Sequence, residues 1–394
     1  KDVAGNAATQ ASWTFKVDTV APVLNKTSPI GWANVIKPNV VITAVEATSG
    51  IDTTNAASTV FTLSNGGPVA GTGAWDPTGL VYTFVPTGDL NETSTYTATM
   101  DAKDNAGNSA TQLTWTFEVD VQVPTIDNLA PANDTWVTTA TPTISAQVHS
   151  EVGGSGIDAT TIVMKVDGVT VSHDYSVPPT VSFTPVGLSE GTHTVTVDVK
   201  DVAGNAATQA SWTFKVDTVK PTLSGTPLGW ANVIRPNVVI TAVEAGSGMN
   251  TGVGAFTLSG NISGDITALG SGSWNGLVYT FVPGSDLNEG ETYTATMANA
   301  ADIAGNVADT LTFTFQVDVT KPTIDNLAPA DDTWVTTATP AISAQVHSEG
   351  GGSGIDAATI VMKVDGVTVA HAYAAPTVSF TPAGLTEGTH AVTV

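Results

Sequence analysis

Cysteine is missing from all 394 residues. That removes disulfide and thiolate chemistry and excludes the disulfide-dense type of small secreted domain. Basic residues are scarce, 12 Lys and Arg against 36 Asp and Glu, for a formal net charge of −24. Such a balance argues against nucleic acid and anionic membrane as partners. Charge of either sign is thin, at 12% of residues, too thin for a highly charged disordered chain. No apolar run approaches a membrane span, no signal peptide opens the chain, and no helical periodicity of useful length appears. P-loop, G-x-S-x-G and zinc-ligand spacings are missing too, so the expectation is a protein that is not an enzyme. What is present is 41% hydrophobic residues, ample for cores, with 38 glycines and 21 prolines as punctuation.

Self-similarity organises the rest. GWANVIKPNVVITAVEA at 31–47 returns as GWANVIRPNVVITAVEA at 229–245, and PTIDNLAPANDTWVTTATPTISAQVHSE at 124–151 returns almost unchanged at 322–349. Both shifts are 198 residues (229 − 31 and 322 − 124). Two module types, A and B, therefore alternate: A over 19–120 and 218–318, B over 121–217 and 319–394. Residues 1–18 repeat 200–217 letter for letter, so they read as the closing strand of another B module. Lys1 matches Lys200 and Val394 matches Val197, which predicts a window on a longer repetitive chain. Donation of the first strand to a neighbouring chain and a natural protein with ragged ends are the alternatives.

Each module holds short period-2 runs separated by Gly, Pro, Asn and Asp. In the first A module these predict strands near 23–26, 39–45, 59–64, 68–72, 80–85, 95–101 and 112–119. In the first B module they fall near 124–128, 142–149, 162–166, 169–173, 180–184, 192–199 and 208–216, with Asp167-Gly168 as a hairpin turn. Seven strands in about 100 residues predict an all-β chain of tandem immunoglobulin-like β-sandwiches in an extended array. The last strand alternates cleanly: Trp115, Phe117 and Val119; Trp212, Phe214 and Val216; Trp13, Phe15 and Val17; Phe313, Phe315 and Val317. Each set is expected to face a core. Tyr96 and Tyr293 stand where a sandwich places its tyrosine corner, and His193 and His390 stand there in the B modules. All six histidines lie in B modules, and a structural role is preferred to metal binding because no two are at ligand spacing. Trp75 and Trp274 read as turn residues, packing against a neighbouring domain or stacking on a sugar. Trp136 and Trp334 read as module-edge residues.

KDNAGNSA, KDVAGNAATQ and ADIAGNVA resemble the D-x-A-G-N turn of bacterial Ig-like tandem-repeat domains from large prokaryotic surface proteins, adhesins and S-layer-associated proteins. SGIDATTIVMKVDGVTV and FTPVGLSEGTHTVTVDVKDVAGN look like one subtype of those repeats. The resemblance covers the whole chain. It implies a secreted or cell-surface stalk or filament segment that supplies length and stiffness and that adheres in some members. Neighbouring copies of the repeat are its first partners and a surface glycan or protein receptor a second. A ligand-binding adhesin module and an accessory array of a larger secreted enzyme are the alternatives.

Loop order brings three acidic elements to one pole of each module. In the first A module they are Asp18 of the linker, Glu46 and Asp52 of the second loop, and Asp104 with Asn108 of the D-x-A-G-N turn. In the first B module they are Asp120, Glu151 with Asp158, and Asp201 with Asn205. In the second A module they are Asp217, Glu244, and Asp302 with Asn306. In the second B module Asp318, Glu349 and Asp356 remain. Several carboxylates with amide oxygens suit Ca²⁺, which takes six to eight oxygen ligands. The resemblance points the same way, since related arrays bind Ca²⁺ at junctions. The competing reading is local: each Asp caps its own turn through backbone N–H groups.

Overall fold

Alternation decides where the cores form. The computed structural model describes residues 1–394. In the first A module the runs become eight strands: β1 (Val23–Ser28), β2 (Gly31–Ala33), β3 (Val40–Val45), β4 (Thr59–Ser64), β5 (Gly71–Trp75), β6 (Val81–Pro86), β7 (Thr95–Ala102) and β8 (Leu113–Val119). They build two four-stranded sheets, β1-β3-β6-β5 and β2-β8-β7-β4. The core between them takes the period-2 faces: Val40 and Ile42, Tyr82 and Phe84, Tyr96, Ala98 and Met100, then Trp115, Phe117 and Val119. Fully burying each large side chain contributes roughly 1.5–3 kcal/mol, which is what holds the two sheets together.

Two details differ from the sequence reading. The first strand is two strands. It leaves its sheet at Ser28, where Pro29 has no N–H for the ladder, and resumes as β2 in the other sheet, parallel to β8 with Gly31 opposite Phe117. The strand expected at 68–72 lies at 71–75, so Trp75 closes a strand rather than a turn. Its Nε1 donates to Thr59 Oγ1 at 2.9 Å and its ring meets Tyr82 edge-on at 5.4 Å. Trp274 meets Tyr279 the same way, at 5.4 Å. Both tryptophans therefore pack within their own modules. Gly73 is required beneath Tyr82: a Cβ there would lie 1.8 Å from the phenol oxygen.

The first B module has nine strands: β9 (Thr125–Ala130), β10 (Thr135–Val137), β11 (Ile144–His149), β12 (Ile157–Val166), β13 (Val169–Val171), β14 (Asp174–Val177), β15 (Thr180–Phe183), β16 (Gly191–Asp201) and β17 (Ala210–Val216). The sheets are β14-β15-β11-β9 and β10-β17-β16-β12-β13. Asp167 and Gly168 turn β12 into β13 with φ of 51° and 79°, the positive values that a two-residue hairpin needs. Ile144, Met164, Val197, Trp212, Phe214 and Val216 are buried.

The second A module repeats the first, with an added hairpin at Gly264–Asp265, and buries Phe313, Phe315 and Val317. In the second B module one sheet runs Thr323–Ala328, Ile342–His347, Thr377–Phe380, Ala372–Ala374, and the other has three short strands. Trp334 there is 92% exposed. Residues 1–18 form no strand, and Trp13, Phe15 and Val17 stand in solvent. In the identical 200–217 segment the counterparts Trp212, Phe214 and Val216 are buried, because sheet partners flank β17. By internal contacts the residues group into two units, 1–135 with 141–188 and 192–215, and 136–140 with 189–191 and 216–394.

One buried acid belongs to the fold alone. Glu291, 1% exposed, accepts the backbone N–H groups of Ile262 and Ser263, the Ser263 hydroxyl, the Asn288 amide and the Tyr293 hydroxyl. Burial by itself pushes its pKa up, but those donors outweigh it and hold the carboxyl at about 2. Because the folded value lies below the ordinary 4.5, the stabilisation is present above pH 4.5 and is lost as pH falls towards 2. Its ceiling is about 3 kcal/mol. Glu291→Gln should lower stability at pH 7 by about 2–3 kcal/mol and by almost nothing at pH 2. Denaturant unfolding at the two pH values checks this.

Candidate cation sites at the module mouths

The D-x-A-G-N turn is built from its own side chains. Asp104 Oδ1 accepts the N–H groups of Ala106 and Asn108, and its Oδ2 accepts Asn108 Nδ2 at 2.7 Å. Gly107 supplies the positive φ, 95°. Asp201 with Asn205 and Asp302 with Asn306 repeat the Asp–Asn contact at 2.8 Å. Asp2 and Asn6 make the same turn on the exposed first residues, outside any sandwich. In the modules the asparagine does more. Nδ2 of Asn108, Asn205 and Asn306 also donates to the carbonyl of Asp18, Asp120 and Asp217, pinning the incoming linker.

The linker aspartates in turn hold the second loop. Asp18 accepts Ser49 N–H, Asp120 accepts Ser155 N–H and Asp217 accepts Ser247 N–H. The Ser49 side chain and the Val20 and Ser49 N–H groups draw the Asp18 pKa down. In the second B module Asp318 accepts Ser353 N–H at 2.7 Å, and this N–H with the Ser353 side chain draws the Asp318 pKa down. Linker, loop and turn thus converge as the strand order predicts.

Capping accounts for one oxygen of Glu46, which accepts Thr48 and Ser49 N–H, and one of Glu244, which accepts Gly246 N–H, but not for the remaining loop glutamate oxygens. Ligand atoms of Asp18, Glu46 and Asp104 lie within 4.8 Å of one another, as do those of Asp217, Glu244 and Asp302. Asp104, Asp120, Asp201, Asp217 and Asp302 are all at most 2% exposed. Both carboxylate oxygens of Glu151 are buried without a hydrogen-bond partner, as are Oε2 of Glu244 and Oε1 of Glu349. Burial first, then the charges of Asp120 and Asp201, push the Glu151 carboxyl upward. Gly154 and Gly352 leave the room the glutamates occupy: a Cβ would lie 1.2 and 1.5 Å from the Glu151 and Glu349 oxygens. Lysine and arginine pair elsewhere, in Lys37–Asp89, Lys215–Asp134, Lys220–Asp309 and Arg235–Asp286. A buried carboxylate without a hydrogen bond or counter-charge is costly. Oxygen-only donors with two or three negative charges fit a hard divalent cation such as Ca²⁺, and the lack of thiol or imidazole at these mouths disfavours zinc.

Asp52, Asp158 and Asp356 do not join the clusters. Asp52 accepts from Thr54, Asn55 and Ser58, Asp158 from Thr160, and Asp356 from Ala358 N–H, each within its own turn. Three glutamates that the sequence reading passed over grip the outgoing linkers. Glu92 accepts from Gln122, Glu190 from Thr218, and Glu289 from Val319 and Thr320. Their common signal is a position three or four residues before the corner Tyr or His.

Four of the six histidines pair with aspartates. His149 faces Asp127 and His347 faces Asp325 across paired strands, at 3.1 and 3.0 Å. His193 and His390 each hold a turn aspartate at 2.7 Å.

Among solved structures, the fibronectin(III)-like modules of CbhA from Clostridium thermocellum are 20% identical over 49% of this chain and 94% of theirs, with a TM-score of 0.33. The ICAM-5 D1–D4 ectodomain fragment is 9% identical over 93% of this chain and 91% of its own, with a TM-score of 0.34. The z1z2 domains of titin are 14% identical over 50% and 97%, with a TM-score of 0.20. None of the curated proteins compared with the chain matches it. Two family models described as bacterial Ig-like domain match, one over residues 18–119 and the other over 121–218. Both module types are thereby matched in sequence and each is a two-sheet sandwich in structure, so the chain belongs to the bacterial Ig-like domains and carries them in tandem.

Proposed function

We propose that this chain is a structural segment of an extracellular array, a stalk or filament part without catalytic activity of its own, whose modules are locked by calcium. Bacterial Ig-like domains usually occur in extracellular proteins, which supports the setting. Neighbouring copies of the repeat are its partners in this reading. The observation that carries the ion is a buried glutamate oxygen without a hydrogen-bond partner beside the linker aspartate in three successive modules, both oxygens in Glu151 and one each in Glu244 and Glu349. Asp18, Glu46 and Asp104 would hold one ion, Asp120, Glu151 and Asp201 a second, and Asp217, Glu244 and Asp302 a third. Asp318 and Glu349 offer part of a fourth. The ion would supply positive charge to which linker and loop carboxylates are both bound, which removes hinge freedom where the chain enters a module. The chain's own residues already align the parts: the asparagines pin the linker carbonyls, and Glu92, Glu190 and Glu289 pin the outgoing linkers. Sugar stacking gains no support from Trp75 and Trp274, whose rings are packed on Tyr82 and Tyr279.

Pulling the chain end to end tests the mechanical role. Each module of about 100 residues should release roughly 340 Å of chain in one step, at 3.3–3.6 Å per residue. The force per step should fall when a chelator replaces calcium. Unfolding without discrete steps would contradict load-bearing modules, and forces indifferent to calcium would contradict the lock.

A further inference from the structure

The two module types place different chemistry at the same corner. In the A modules Tyr96 and Tyr293 accept the N–H of Asn91 and Asn288 at 2.7 Å, with their rings against Phe117 and Phe315. In the first B module His193 takes that berth, 4% exposed, its ring centroid 5.7 Å from that of Phe214. Its Nδ1 lies 2.7 Å from Asp167 Oδ2 in the β12–β13 hairpin turn. The other oxygen of Asp167 accepts Thr194 N–H at 2.8 Å, and Asp167 N–H donates to Thr194 O. The histidine therefore ties the hairpin to the start of β16.

The second B module repeats this and shows both ring nitrogens. His390 Nδ1 lies 2.7 Å from Asp365 Oδ2, and Nε2 lies 2.7 Å from the Thr386 carbonyl oxygen. Carboxylate and carbonyl oxygens only accept. A neutral imidazole has one N–H and one lone pair, so it would set a lone pair against one of these oxygens. Only the imidazolium, with two N–H groups, satisfies both.

We propose that the B-module corner is a proton-operated latch, closed while its histidine is an imidazolium and loosened when it is neutral, whereas the tyrosine corner of the A modules stays shut over the same pH range. The charged group bonded to His390 is Asp365, from the hairpin; the preceding loop, which also carries Glu387, presents the Thr386 carbonyl. Among the groups at His193 are Asp167, from the hairpin, and the uncharged Phe214 ring, from β17, while Glu190 on the adjoining loop accepts from Thr218. The hydrogen bond from His390 to Asp365, then that to the Thr386 carbonyl, raise the His390 pKa above its ordinary 6.5. A raised folded value means the stabilisation is complete below pH 6.5 and is lost as pH climbs through the raised value.

Nitrogen-15 NMR of the histidine side chains in the full chain, with hydrogen exchange of named amides, tests the latch. At pH 7.5 both ring nitrogens of His193 and of His390 should carry protons. Protection of Thr194 N–H, corrected for the intrinsic rise of exchange with pH, should drop about tenfold or more as His193 deprotonates, the response to about 1.4 kcal/mol of lost tethering. Asn91 N–H, bonded to Tyr96, should show no such drop. Asp167→Asn keeps an acceptor for Thr194 but removes the charge, and should leave His193 as one neutral tautomer at pH 7.5. Single neutral tautomers of His193 and His390 in the wild-type chain at that pH would overturn the proposal. So would Thr194 protection that ignores the histidine titration.

Discussion

Phe214→Ala should destabilise the first B module by about 3–5 kcal/mol, the ordinary cost of emptying a buried phenylalanine site. Phe214 is 0% exposed in β17 and lies among the alternating side chains that join the two sheets. A module of this size has roughly 5–15 kcal/mol in hand, so the loss is a large part of its stability. The sequence supplies its own control. Phe15 occupies the same place in the identical eighteen residues at 1–18 but is 81% exposed. Phe15→Ala should therefore change stability by no more than about 0.5 kcal/mol. Hydrogen exchange resolved along the chain reads both, with the loss of protection confined to residues 121–217 for Phe214→Ala. Equal effects from the two substitutions would mean that side-chain identity, not burial between sheets, sets the cost.

Calcium should raise the stability of each locked module by about 2.7 kcal/mol when its free concentration is a hundred times Kd. For a domain of this size that is on the order of 10–20 °C in Tm. Glu151→Gln separates ion binding from turn capping. Burial and the Asp120 and Asp201 charges push the Glu151 carboxyl up, so without an ion its charge opposes folding. Stability is then held below the ordinary 4.5 and lost as pH rises through the raised value. In chelator at pH 7 the glutamine variant should melt at or above wild type. In calcium it should melt below, because the ion has lost a carboxylate ligand. That crossing of the two proteins is the expected result of the melting experiment. Parallel behaviour in both buffers would assign Glu151 a role without a cation.

Much of the fold was legible because burial and period 2 coincide. Trp212, Phe214 and Val216 face a core as their alternation predicts, whereas the same expectation fails for the identical Trp13, Phe15 and Val17, which stand in solvent. The split of the first strand was not legible: Gly31–Ala33 is three residues long and parallel to its partner, too short to show a period. Trp75 sat beside Asp76-Pro77 and read as a turn, although Gly71 and Gly73 open a berth for Tyr82 that keeps the segment in the sheet. At the module mouths the sequence identified the linker aspartates, the loop glutamates and the turn aspartates. It could not separate them from Asp52, Asp158 and Asp356, because an aspartate that meets only its own turn and one that also lies against a neighbouring loop occupy similar positions in the sequence. The difference lies in which backbone N–H groups each one meets, and that is set by the loop's path. The grip of Glu92, Glu190 and Glu289 on the next linker depends on contacts about 30 residues apart and left no local pattern.

The lock itself is tested most directly by titrating calcium calorimetrically into the chelator-stripped chain, in two buffers of different ionisation enthalpy. The two clusters whose ligand atoms already converge, together with the proposed site at Glu151, should give saturable binding of about three ions, with net proton release because the Glu151 carboxyl, pushed up in the free protein, must ionise to bind. Heats that never saturate, together with a Tm unchanged by calcium, would contradict it and leave the aspartates as turn caps alone.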